Sequence, residues 1–234
     1  MAPFLLLAAL LLTASPVAWA AALSVAPTRV ELGPNDRSAV VTLQNDGSES
    51  VMLQVQTFAW PRTPATGDLE PTRDILAVPP VFALAGKGKQ IIRVALRGPP
   101  PADREQAYSL LITEVPRGGG VDTGVRFALR LSLPVFVTPP EAAPQITWTV
   151  LRASGGAQLA LDNRGTAHLQ VRRIVLRAPG NPQPVQSIEA AVYLLSGQSQ
   201  TWPLTAPAAA ERTLQLEAET NLGPIQAAVE LPQG

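Results

Sequence analysis

The segment from Val125 to Thr138 reads VRFALRLSLPVFVT, with an apolar side chain at every odd position from Val125 to Val137. Only a strand puts every second residue on one face; a helix turns by about 100° per residue and cannot use that spacing. The run is longer than an ordinary strand of five or six residues. Its even positions include Arg126, Arg130, Ser132, Pro134 and Thr138. Proline has no N–H to give, so in a sheet it belongs on an edge strand or at a bulge. A long apolar edge is normally an aggregation hazard. Keeping one makes sense if a partner pairs with it by strand addition. Periodicity alone does not say whether the odd face fills the chain's own core or a partner's.

The same alternation recurs along the chain, at Ala39, Val41 and Leu43, at Val51, Leu53 and Val55, and at Ile92, Val94 and Leu96. Tyr108, Leu110 and Ile112 follow, then Ile146, Trp148 and Val150, then Leu159 and Leu161, then Leu214 and Leu216. Turn signals such as Asn45-Asp46-Gly47, Gly86-Lys87-Gly88 and Asn163-Arg164-Gly165 separate them. No segment carries a capped helical stripe. The pattern predicts an all-β protein of sandwich type. Gly and Pro together supply 41 of 234 residues and are spread among apolar runs, which suits many turns better than disorder.

An internal echo sets the domain number. Leu43, Asn45, Gly47, Ser48, Val51 and Leu53 correspond to Leu161, Asn163, Gly165, Thr166, Leu169 and Val171, all at one offset of 118 residues. A fixed offset of one domain length favours two related sandwiches over a chance hairpin. Pro139-Pro140, followed by Glu141-Ala142-Ala143-Pro144, makes a stiff junction. The expected boundaries are 23–139 and 140–234.

Composition narrows the function. Eighteen Lys and Arg balance 18 Asp and Glu, so nothing pulls the chain toward nucleic acid. Cysteine is absent and His168 is the single histidine, which removes thiol catalysis, disulfides and almost any His/Cys zinc site. Neither GxSxG nor GxxxxGK[ST] occurs. No catalytic residue, metal or cofactor is expected, and the chain reads as a binding protein rather than an enzyme. At a turn of the second domain, His168 reads as exposed and without a role; Trp60 and Trp148 read as core.

Residues 1–22 carry no charged side chain, and Phe4–Leu12 is unbroken apolar sequence, too short to span a bilayer as a helix. Pro16 and the small-x-small pattern Ala18-Trp19-Ala20 follow. The segment reads as a signal peptide cut after Ala20 or Ala22, and the mature chain as exported.

Five stretches, in order, resemble the periplasmic pilus-assembly chaperones of the chaperone–usher pathway. They are Ala26-Pro27-Thr28-Arg29-Val30, the Asn45 hairpin, Val78-Pro79-Pro80-Val81-Phe82-Ala83-Leu84 continuing through Gln90-Ile91-Ile92-Arg93, Arg104-Glu105 with Tyr108 and Glu114-Val115-Pro116, and the Val125–Phe136 alternation. The resemblance implies two immunoglobulin-like domains in a boomerang. It implies a non-enzymatic periplasmic protein that binds, folds and caps pilus subunits and delivers them to an outer-membrane usher. The long strand would fill the open groove of a subunit lacking its last strand, with Val125, Phe127, Leu129 and Leu131 as plugs. Features of Leu133-Pro134-Val135-Phe136 look more like the alternative or archaic branch.

The family also anchors the subunit's C-terminal carboxylate with two basic residues. Arg29 matches the first, and the second, a lysine, aligns with Pro134; Arg130 and Arg93 are the candidate substitutes. In the family's interdomain charge cluster Glu105 matches an acidic member, whereas Thr138 and Asn221 stand where two charged members are expected, so the interface is predicted to be held differently. Two other classes remain. An exported immunoglobulin-like structural module, or a pilus or adhesin subunit, should lack its final strand and carry a free alternating N-terminal extension. A carbohydrate-active sandwich needs a carboxylate pair flanked by exposed aromatics, and an aromatic content of 5% offers it little.

Overall fold

The computed structural model describes residues 23–60, 69–116, 128–153, 156–205 and 212–232. Every regular element in them is a strand. The first ten are β1 (Leu23–Ala26), β2 (Val30–Leu32), β3 (Ser38–Asn45), β4 (Val51–Ala59) and β5 (Glu70–Pro71), then β6 (Ile75–Val78), β7 (Val81–Leu84), β8 (Lys89–Leu96), β9 (Gln106–Glu114) and β10 (Arg130–Val137). They form two facing sheets, ordered β1-β3-β8-β6 and β2-β10-β9-β4-β5, with β7 paired to β4. The alternating residues read from the sequence point between these sheets. Val41, Leu43, Leu53, Ile92, Val94, Leu110 and Ile112 are all within 1% of full burial, in one cluster with Leu133, Val135 and Val137 of β10.

The remaining strands are β11 (Ile146–Ala153), β12 (Gly156–Asn163), β13 (Leu169–Arg177), β14 (Pro184–Leu194), β15 (Ser199–Leu204), β16 (Thr213–Thr220) and β17 (Gly223–Glu230). Their sheets run β11-β12-β15 and β14-β13-β16-β17. Between them lies a second, separate cluster that includes Leu159, Leu161, Leu169, Val171, Ile174, Leu176 and Leu216. Trp148 packs against this cluster beside Trp202, with ring centroids 6.2 Å apart.

The sequence echo is a structural echo. Asn45 and Asn163 are each 1% exposed. Asn45 Oδ1 accepts from Gly47 N at 3.0 Å, and its Nδ2 donates to Glu49 O at 2.7 Å and Leu84 O at 3.3 Å. Asn163 Oδ1 accepts from Gly165 N at 3.0 Å, and its Nδ2 donates to Ala167 O at 2.8 Å and Leu194 O at 3.1 Å. In each sandwich one buried amide closes its own turn and ties it to a neighbouring strand end, which satisfies groups that would otherwise be costly to bury. The linker is fastened to the second of these turns. Arg164 N donates to Gln145 O and Thr166 N to Ala143 O, both at 2.8 Å. Contact is so close that a Cβ on Gly165 would sit 2.2 Å from Gln145 N, so only glycine fits there.

Tyr108 shows how one core position titrates. It is 3% exposed, and its hydroxyl donates to Gln106 Oε1 at 2.7 Å and lies 3.3 Å from Asp74 Oδ2. Burial, then the charge of Asp74, pushes the phenol up from 10.0 to about 12. A folded-state value above the unfolded one means the contribution is complete below about pH 10 and is lost as the pH rises toward about 12. Tyr108→Phe therefore removes part of the alkaline destabilisation, read as urea midpoints on either side of that window.

Candidate functional site

β10 has two different edges along its length. On one side it pairs with β9 throughout, from Arg130↔Thr113 to Val137↔Gln106. On the other it pairs with β2, in parallel, only at Val135, Phe136 and Val137. Among the described pairings, Arg130 to Pro134 thus bonds a neighbour on one side only. Pro134, without an N–H, stands where the open stretch meets the closed one, in keeping with the edge placement expected of a strand proline. Val125 and Phe127 lie outside the described residues. Leu129 is half-buried, its carbonyl accepting from Glu114 N at 2.8 Å. Leu131 is half-buried and packs on the first core, and Leu133 is fully part of it. The odd face therefore passes from the chain's own core at Leu133 to partly exposed side chains at Leu131 and Leu129.

The even face of the same strand does a second job. Phe136, 0% exposed, points away from the first core and into the contact with the second sandwich. His168 stacks on it with centroids 3.6 Å apart at 11°, and Tyr193 and Trp60 lie at 5.5 and 6.3 Å from the Phe136 ring. Glu105 lies alongside: its carboxylate accepts from His168 N at 3.0 Å and from Thr138 Oγ1 at 2.8 Å, and its two oxygens lie 2.8 and 2.9 Å from His168 Nδ1. Glu105 N donates to Thr166 O, and Arg104 Nη1 to Ser196 Oγ at 2.8 Å.

This overturns the expectation for His168, which is 6% exposed and holds the two sandwiches together. It is buried by Glu105, 63 positions away, and by Phe136, both from the first sandwich, so its local turn context gave no sign of it. Trp60 is likewise a half-buried junction residue rather than a member of either core. At the junction Thr138 contributes a hydroxyl to Glu105, whereas Asn221 bonds within the second sandwich, its Oδ1 accepting from Gln170 N at 2.8 Å.

Beside this junction opens a cleft of about 520 Å³ between the sandwiches, lined by Thr28, Arg29 and Glu31 on one side and Gln170, Arg172 and Tyr193 on the other. Val30 is in register with Val135, which sets Arg29 level with Pro134. Arg29 Nε pairs with Glu31 Oε1 at 2.8 Å, and its Nη1 donates to Gln170 Oε1 at 3.2 Å. Neither of the other two candidate arginines lines the cleft. Arg130 is four residues up β10, roughly 13 Å at about 3.3 Å per residue. Arg93 is exposed on β8, in the opposite sheet, between Val40 and Val78. The cationic residue that does face Arg29 across the cleft is Arg172, which the sequence reading missed. Its signal was the spacing of three between Val171 and Ile174, where strict alternation would have placed an apolar residue at 173.

Comparison with known proteins agrees with this arrangement. The chain superposes on the CsuC chaperone in complex with the tip subunit CsuE, from the archaic chaperone–usher Csu pili of Acinetobacter baumannii. The TM-score is 0.65 at 21% identity, covering 89% of this chain and 98% of that one. The E. coli chaperone DraB gives a TM-score of 0.63 at 21% identity, covering 90% and 99%. The SafB chaperone of Salmonella enterica, solved with the SafA pilin, gives 0.63 at 17%, covering 89% and 96%. No curated protein sequence matches the chain. At these identities the structures speak for the fold alone. The sequence, however, matches the family described as pili and flagellar-assembly chaperone, PapD N-terminal domain, over residues 22–143, and that span contains β1 to β10, the one-sided edge and Arg29. With more than half its length matched, this two-sandwich chain belongs to the pilus-assembly chaperones of the chaperone–usher pathway.

Proposed function

We propose that the chain holds pilus subunits folded in the periplasm by adding β10 and the residues before it to their open groove, and hands them to an outer-membrane usher. The observation that carries this reading is the one-sided pairing of Arg130 to Pro134, continuous with half-buried Leu131 and Leu129. An apolar strand with free backbone donors and acceptors is what strand addition needs. Each side chain buried in the groove contributes roughly 1.5–3 kcal/mol, and each added backbone hydrogen bond about 0.5–1.5 kcal/mol net. Several plugs together offset the cost of ordering the complex, with no nucleotide needed. Val125 and Phe127 extend the plug series upstream. Residues 1–22 are read as the leader that exports the chain, and 23–139 and 140–234 as its two domains.

Arg29 is read as the anchor for the subunit's terminal carboxylate. A guanidinium fork suits a bidentate carboxylate contact, and this one already binds the Glu31 carboxylate. Arg29→Ala is expected to weaken subunit capture roughly tenfold with the melting temperature unchanged; equal capture by the variant removes Arg29 from the site. The reading as a whole is tested by affinity capture of the tagged protein from its native periplasm. The expected companion is a small secreted β-rich protein with an alternating N-terminal extension. A clean monomer from cells that are making fibres overturns it.

A further inference from the structure

We infer that the cleft is a two-arginine carboxylate site, in which Arg172 of the second sandwich is the partner of Arg29 and Glu31 is the occupant that a subunit's terminal carboxylate displaces. The inference deepens the anchor reading above and rests on it for the identity of the incoming carboxylate.

Two observations place Arg172. The first is a β-bulge. Between Val171 and Arg173 the register of β13 shifts against both of its neighbours: Val171 pairs with Thr220 and Arg173 with Glu219, so Arg172 is the extra residue facing β16. Against β14 the pairs are Val171↔Val192 and Arg173↔Glu189, and there Ala191 takes a left-handed backbone, φ 45°. A non-glycine residue in that region stores strain that a fold keeps where it re-aims something. Here the distortion leaves Arg172 and Arg173 both exposed between buried Val171 and Ile174 and brings Arg172 and Tyr193 to the cleft wall. The second observation is the support of the side chain: Arg172 Nη2 donates to Thr220 O at 3.2 Å, which fixes one edge of the guanidinium and leaves its other donors free of any partner within the described hydrogen bonds.

Glu31 supplies the carboxylate chemistry on the spot. It alternates with buried Val30 and Leu32 on β2, so its side chain must project outward, and it meets Arg29 at 2.8 Å while remaining 57% exposed. An exposed pair of this kind is worth little by itself, so an incoming carboxylate that reaches both arginines can replace it. The site then links the first sandwich to the second through the ligand. Subunit capture through this site accordingly depends on a residue well outside the donor strand.

Acetate is the probe, because it separates this inference from the anchor reading. In a titration of labelled protein followed by NMR, the guanidinium Nε–H resonances of Arg29 and Arg172 are expected to move together on one binding curve, with acetamide moving neither. Glu31→Gln should tighten acetate roughly threefold to tenfold and Arg172→Gln loosen it by a similar factor, both at unchanged melting temperature. A stationary Arg172 resonance, or acetate affinity unaltered in Glu31→Gln, overturns the assignment. Should both resonances move while Arg172→Gln and Arg29→Ala still capture subunits as the wild type does, the two-arginine site stands and the subunit-anchor reading falls.

Discussion

Leu129→Asp is expected to abolish subunit capture while the chain stays folded, and Leu133→Asp, four residues along the same strand face, to unfold it. The contrast follows from where the odd face of β10 changes ownership. Leu133 is 2% exposed within the first core, and a carboxylate there is an unpaired buried charge. Leu129 is half-buried, sits outside that core, and is held by backbone bonding to Glu114 that an aspartate can also make. In a subunit's apolar groove the same carboxylate is stripped of water without a partner, and the expected loss of affinity is at least about a hundredfold. Capture by each variant from periplasmic extract, beside its circular-dichroism melting curve, checks both halves. A melting curve for Leu129→Asp that collapses as that of Leu133→Asp does would falsify the assignment of Leu129 to a partner's core.

Phe136→Ala carries the largest expected cost to stability. Removing a fully buried phenylalanine leaves a cavity and costs about 3–5 kcal/mol, or a fall in melting temperature of roughly 10 °C for a chain of this size. Its position makes the effect more specific than a loss of packing. Phe136 is the ring on which His168 lies, and Glu105, Thr138, Tyr193 and Trp60 close around the pair. The two hydrophobic clusters are otherwise separate. With the junction hollowed, the sandwiches are expected to unfold in two resolved transitions where the parent shows one. A single transition within about 1 kcal/mol of the parent's would show that the junction contributes nothing to the coupling.

The strands and both asparagine turns were legible because their causes are local. Alternation at Val41 and Leu43, or at Leu159 and Leu161, is fixed by the pleat, and an Asn-x-Gly turn closes on its own backbone. The open half of β10 was legible from Pro134 for the same reason. Between the sandwiches Arg29 and Glu105 were legible, and most of what surrounds them escaped. His168 looks like a turn residue until Glu105 and Phe136 are brought to it from another domain. Phe136 was passed over because the odd face of its strand was so regular, although it is the one large apolar side chain on the even face. Arg172 owes its place to a bulge, and a bulge changes register without any residue type that announces it. Arg93, chosen for standing at the end of a recognisable stretch, lies on the other sheet, a separation that depends on strand order rather than on spacing.

The parallel pairing of β2 with the last three residues of β10 also acts as a ruler. A strand laid along β10 finds free partners up to Pro134 and none beyond, because β2 already holds Val135 to Val137 and proline has no hydrogen to offer. Its position along the edge is therefore counted from that stop, and the stop is level with Arg29. Slipping by two residues, the step that keeps the same side chains facing inward, would either collide with β2 or, on the proposed anchor reading, pull the incoming end away from the guanidinium. One short strand of three residues thus gives an otherwise repetitive edge a fixed zero.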